Sequence, residues 1–185
     1  MTVTSCVASS CVKATLPTVT DALAKEMDFS YSYAKNSQVI VTKSANVTTY
    51  GSVEKITTAN GKVAVESGSA GETVAKANFA TQSIVDVQAQ VNALTEVVAG
   101  TSAVAIVDYT LAASKCGKGN FADLVIVPNV EFEPEEFAVG IRKGSNMTAE
   151  INKALVELYN DGTMESLRQQ YDPDAIALLD LSKAK

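Results

Sequence analysis

Three short segments of this 185-residue sequence carry groups suited to holding a small charged molecule. The first is Ser67-Gly68-Ser69-Ala70-Gly71-Glu72. Ser69-x-x-Glu72 has the spacing of a capping box, in which a hydroxyl and an acid each take up an amide at a helix start. Gly68 and Gly71 let the backbone come close to a guest, and the unused N–H groups of a helix start attract an anion. The segment therefore reads either as a plain cap or as an anion seat at the start of the helix. No Lys-Ser/Thr follows it and no further glycine completes a dinucleotide turn, so a carboxylate fits better than a nucleotide. The second segment ends in Gln88. The third is Asp108, which closes the apolar run 103–107. A carboxylate leaving a buried strand needs a cation or several hydrogen-bond donors. Asp108 reads either as a cap for a helix starting at Tyr109 or as the counter-ion of an ammonium group. An anion seat beside a cation seat recognises a zwitterion, and that points to an α-amino acid.

The elements that must position these residues follow from hydrophobic periodicity. Strands are expected at 39–42, 62–66, 84–88, 104–108, 124–127 and 137–141. Helices are expected at 20–27, 71–79, 89–99, 109–114, 147–160 and 163–171, while 43–51 reads as a polar stretch. In the helix at 89–99, Val91, Leu94 and Val98 share a face. Ile151, Leu155 and Leu158 form a stripe on the next long helix, and Met164, Leu167 and Tyr171 face inward on the last. The apolar tail 175–181 needs a surface to lie against. Strands alternating with helices imply an α/β fold, an open and mostly parallel sheet with helices on both faces. Ser69, Gln88 and Asp108 then fall at the carboxyl ends of three successive strands, the edge at which such sheets bind ligands.

Composition excludes several classes of function. The chain carries 15 Lys+Arg against 21 Asp+Glu, a net charge of -6, which argues against a nucleic-acid partner. Its hydrophobic fraction, 46%, is enough for a core. The longest apolar runs, such as 104–107 and 124–127, are strand-sized and do not span a membrane. The sequence has no His, which removes Ser-His-Asp and Cys-His catalysis and the commonest zinc sets. No cofactor and no metal is expected, and the acids Glu131, Glu133, Glu135 and Glu136 read as a solvated turn. Cys6, Cys11 and Cys116 are odd in number and imply no complete disulfide framework. Val3-Thr4-Ser5-Cys6 loosely fits the end of a lipoprotein signal, but no basic start or apolar stretch precedes it.

Gly68-Ser69-Ala70-Gly71-Glu72, Ala105-Ile106-Val107-Asp108-Tyr109 and the run from Phe137 through Arg142-Lys143-Gly144-Ser145 resemble the amino-acid-type solute-binding proteins of ABC transporters, with their periplasmic-binding-protein fold. Asp28-Phe29-Ser30 with Tyr33, and the ending from Asn152 through Asp161-Gly162-Thr163 to Tyr171, carry the same resemblance in the same order. It implies an extracytoplasmic protein of two lobes that closes on its ligand by a hinge and delivers it to a membrane permease. Lobe two is then 38–137, an insertion between 1–37 and 138–185, with crossover strands near 39–42 and 138–141. The resemblance places Ser69 and the Ala70 and Gly71 amides on the ligand carboxylate and Asp108 on its ammonium. Thr18, Ser30 and Tyr31 face the ligand from lobe one.

Two departures from the family pattern bear on function. Leu23, three residues after Thr20, stands where the family has a carboxylate-clamping Arg. A charge-assisted hydrogen bond is worth about 1.5–3 kcal/mol, or one to two decades of affinity. Residues 1–17 do not resemble the first strands and helices of lobe one. The apolar stripes of the last two helices are therefore expected to find cover in a homo-oligomer, with exchanged helices as one route. Two alternatives to ligand transport stand beside it. One is a ligand-free α/β interaction module. The other is a dehydratase-like enzyme on the same fold, with Glu72 as acid or base.

Overall fold

The computed structural model describes residues 3–7, 10–14, 19, 21–171 and 177–184. The chain forms two compact units, Met1–Asn36 with Glu135–Lys185 and Ser37–Pro134. Along the sequence, β1 (Val3–Val7) and β2 (Ser10–Ala14) make an antiparallel hairpin. α1 (Asp21–Glu26) runs directly into β3 (Met27–Phe29), so Met27 begins a strand where the periodicity had closed a helix. β4 (Ala34–Asn36) ends this part of the first unit.

The second unit opens with β5 (Gln38–Lys43). The stretch 43–51, read as merely polar, holds a turn of 3-10 helix at Ser44–Asn46 and α2 (Val47–Tyr50). α3 (Val53–Thr58) follows, capped by the Ser52 hydroxyl and anchored by the buried Ile56. Then come β6 (Val63–Glu66), α4 (Ala70–Asn78), β7 (Ile84–Val87), α5 (Gln90–Ala99), β8 (Val104–Asp108), α6 (Tyr109–Lys115) and β9 (Leu124–Ile126). The strands form one sheet in the order β7-β6-β8-β5-β9. β6 is parallel to β7 and to β8, whereas β5 runs antiparallel to β8 and β9. The sheet is thus mixed: four of its five strands run the same way, and the reversed β5, next to the edge strand β9, makes two of the four pairings antiparallel where a mostly parallel sheet was expected.

Both faces of this sheet are covered, which is why its strands are apolar at successive positions. Val39, Val41, Ala64, Ala105 and Val107 pack with Ala93, Leu94 and Val97 of α5 and Ala112 of α6. The alternate residues Ile40, Val63, Val65, Val104 and Ile106 pack with Ile56 of α3 and Ala75 of α4. The inward face of α5 is therefore Ala93, Leu94 and Val97, while Val91, expected on it, is exposed. The burial of Ala93 shifts the buried face by part of a turn from the one the larger residues suggest.

The first unit resumes with β10 (Glu135–Phe137) on β4 and β11 (Gly140–Arg142) on β3. The single strand expected at 137–141 is split because Ser30 ties down Val139. The Ser30 amide donates to the Val139 carbonyl, and the Val139 amide donates to Ser30 Oγ at 2.9 Å. α7 (Met147–Asn160) and α8 (Thr163–Tyr171) follow, and neither buries any residue. Leu167 and Tyr171, expected to face inward, are 49% and 74% exposed, and Leu158 is 40% exposed. β12 (Ala177–Leu178) pairs with β4, so the described part of the apolar tail does find a surface, and Leu181 is buried.

Truncating Leu94, which is fully buried between α5 and the sheet, leaves a cavity that the close-packed face cannot fill. Leu94→Ala should lower stability by about 2–5 kcal/mol, as measured by urea denaturation.

Candidate functional site

The parallel strands β6, β7 and β8 end at one edge of the sheet, and the reversed β5 begins there. After β6 the chain turns through Gly68, whose φ of 74° only glycine adopts readily, and enters α4. The Ser69 hydroxyl accepts the Glu72 amide at 3.1 Å. Glu72 accepts the Gly68 amide at 2.7 Å instead of the Ser69 amide, which donates to the Glu66 carbonyl. The capping box is thus displaced by one residue. The amides of Ala70 and Gly71 have no acceptor among the described residues. They and the Ser69 hydroxyl hydrogen are the donors left open at the start of α4.

Asp108 occupies the cap position of α6 but does not cap it. Its carboxylate is held from two other elements. Gln38 Nε2 donates to one oxygen at 2.6 Å and Gln90 Nε2 to the other at 2.8 Å. Gln90 Oε1 in turn accepts the Asp108 amide at 2.8 Å. Gln38 faces Asp108 because the antiparallel register of β5 and β8 pairs the two residues directly. The alternation along β8, in which Val104 and Ile106 face α4, puts Asp108 on that side too. Two donors leave part of the capacity of an ionised carboxylate, about four acceptor positions, open to an ammonium group.

One side chain links the two halves. Gln38 is only 1% exposed, and its Oε1 has no hydrogen-bond partner among the described residues. It lies 3.0 Å from where a Cβ on Gly71 would sit, as does the Ile106 carbonyl. Gly71 therefore lets α4 settle onto the sheet edge where Gln38 holds Asp108. Neither Gln38 nor Gln90 was singled out in the sequence. Gln88, which was, is exposed, and its side chain has no hydrogen-bond partner among the described residues. In the first unit, Ser30 is buried, accepts from Val139 and donates to the Tyr31 carbonyl at 2.9 Å. The Tyr31 amide donates to Asn152 Oδ1 at 2.7 Å. Thr18 lies outside the described residues. Among the described residues no three His, Cys, Asp or Glu side chains gather as a metal site, the acids at 131–136 included.

The sequence profile of the bacterial extracellular solute-binding proteins, family 3, matches residues 13–173. The chain belongs to that family. No curated protein is similar enough in sequence to match. Among solved structures, this family 3 protein is similar to the arginine-, lysine-, histidine-binding protein ArtJ of Geobacillus stearothermophilus. The TM-score is 0.77 at 20% identity, over 86% of this chain and 68% of that one. It is also similar to AbpA of Streptococcus pneumoniae, an amino acid ABC transporter substrate-binding protein bound to L-arginine. Here the TM-score is 0.73 at 26% identity, over 84% of this chain and 65% of that one. An ancestral amino acid-binding protein, a precursor of cyclohexadienyl dehydratase, matches at TM-score 0.73 and 27% identity, with coverages of 84% and 65%. The chain thus spans about two thirds of the length of these structures, and the α/β fold read from the sequence is theirs.

The Glu72 carboxyl is held below its ordinary range, first by its hydrogen bond to the Lys76 ammonium and then by the Gly68 amide. In the folded protein Glu72 binds its proton less readily than in the unfolded chain. Its support of the α4 start is thus complete above the ordinary glutamate range and lost as pH falls through the lower folded value. The Gly68 amide resonance, followed by NMR through an acid titration, should step at a midpoint below the ordinary glutamate value. Glu72→Gln should remove that step.

Proposed function

We propose that this family 3 protein binds an α-amino acid or a similar small zwitterion for uptake by an ABC transporter. The observation that carries this reading is the Gln38 carboxamide, which touches both the start of α4 and the carboxylate of Asp108. It brings open amides and a fixed acid to one sheet edge, as the two ends of a zwitterion require. The ligand carboxylate lies on the Ser69 hydroxyl and the Ala70 and Gly71 amides, and the ammonium lies on Asp108. AbpA, an amino acid ABC transporter substrate-binding protein bound to L-arginine, supports the same class of ligand. The protein acts outside the cytoplasm and presents its ligand to a membrane permease, in keeping with a family of extracellular proteins. Among the described residues no helix is long and apolar enough to cross a membrane.

A dehydratase-like activity is disfavoured by the state of Glu72. A general acid at neutral pH needs a raised pKa, and Glu72 is shifted the other way and bonded to Lys76 and Gly68. A homo-oligomer is favoured by α7 and α8, which expose Leu158, Leu167 and Tyr171 with no covering element among the described residues of the unit that carries them.

Isothermal titration calorimetry against the free amino acids should give saturable binding of at least one. Asp108→Ala should abolish it, and Gln90→Ala should weaken it about tenfold by releasing one charge-assisted hydrogen bond. Turnover of a carboxylate substrate without a stable complex would overturn the reading. Light scattering should report a mass above that of one chain, and Leu167→Glu with Tyr171→Glu should return it to the monomer value.

A further inference from the structure

At the opposite edge of the sheet in the second unit lies a cavity of about 250 Å³. Lys43 at the end of β5, Lys62 before β6 and Ser102-Ala103 before β8 meet there, because β5 runs against its neighbours. Asn46, Tyr50, Asn60 and the turn at Gly100-Thr101 complete the wall. Lys43, Lys62, Asn46, Asn60 and Ser102 all line it, and none of these side chains has a hydrogen-bond or ionic partner among the described residues. Ser102 is only 3% exposed, and its hydroxyl lies beneath the wall with no hydrogen-bond partner among the described residues, so the asparagines are the polar groups at the cavity surface. No acidic side chain lines the cavity, in a chain whose net charge is -6.

The C-terminus of α5 also ends here, and its dipole would repel an anion. That end is masked. The Gly100 amide donates to the Val97 carbonyl, and the Thr101 and Ser102 amides donate to that of Glu96. The Glu96 carboxylate is itself bonded to the Thr101 hydroxyl. Two lysines and two asparagines thus line a space small by the standards of ligand pockets.

We infer that this cavity is a second binding site, for a small oxyanion of the size of phosphate or a short dicarboxylate. The lysines supply the charge, the asparagines supply directed hydrogen bonds, and the site is separate from the edge that carries Ser69 and Asp108. It does not depend on the amino-acid reading of that edge.

The test is an amide NMR titration of the full chain with inorganic phosphate and, in a separate arm, with succinate, chloride holding the ionic strength constant. Saturable shifts confined to residues 60–62 and 100–103 in either arm are expected, and the arm that saturates names the anion. Lys43→Ala with Lys62→Ala should weaken the response about tenfold, while Asp108→Ala leaves it unchanged. Absence of saturation in both arms, or shifts that survive the double lysine substitution, would overturn the site.

Discussion

A carboxylate at the mouth of a buried strand has to be answered by donors, and much of the second unit is arranged to supply them. Asp108 follows four buried residues of β8 and emerges beside the start of α4. Its two oxygens are met by amides from elements distant in sequence, Gln38 at the head of β5 and Gln90 at the head of α5. The reversal of β5 is what makes the first of these possible, since a parallel strand would bring its carboxyl end to this edge and its first residue to the other. Burying Gln38 then constrains the helix above it. A side chain at position 71 would collide with the Gln38 carbonyl and with the Ile106 backbone, so glycine is the residue that fits. One acid thus fixes a strand direction, a glutamine pair and a glycine.

The parts of this arrangement that are local in sequence could be read from it. β8 is a continuous apolar run closed by an acid, and α7 and α8 are bounded by polar turns and by Asp161-Gly162, so their observed limits coincide with the expected ones. The Ser69-x-x-Glu72 spacing announces a helix start for the same reason. Gln38 and Gln90 stayed hidden because their role depends on strand register and on which helix abuts which edge, and neither leaves a mark within a short window. A glutamine heading a strand of Val and Ile is the one available signal, since an amide rarely enters a sheet core without a partner. α3 was missed because Ile56 is its sole buried residue, too little to set a period. On α5, Leu94 and Val98 of the expected face do meet the core while Val91 does not, and on α8 the weight given to large apolar side chains misled. Ala93 takes a core position, whereas Leu167 and Tyr171 stand in solvent.

The two edges of the sheet in the second unit differ in kind. At the carboxyl edge, backbone amides and an acid lie within reach of one shared carboxamide. At the amino edge, lysines and asparagines line a small cavity. The same strands feed both, with the fully buried residues of β5, β6 and β8 lying between them. The structural separation lets each edge vary without unpacking the other.

Gln90 clasps Asp108 from the first residue of α5, and this ties function to the length of the connection before it. Only Gln88 and Ala89 join β7 to that helix. Inserting or deleting one residue there would rotate the start of α5 by about 100° and carry the carboxamide off its target. Descendants of this chain are therefore free to drift along the outer face of α5 and barred from changing its phase.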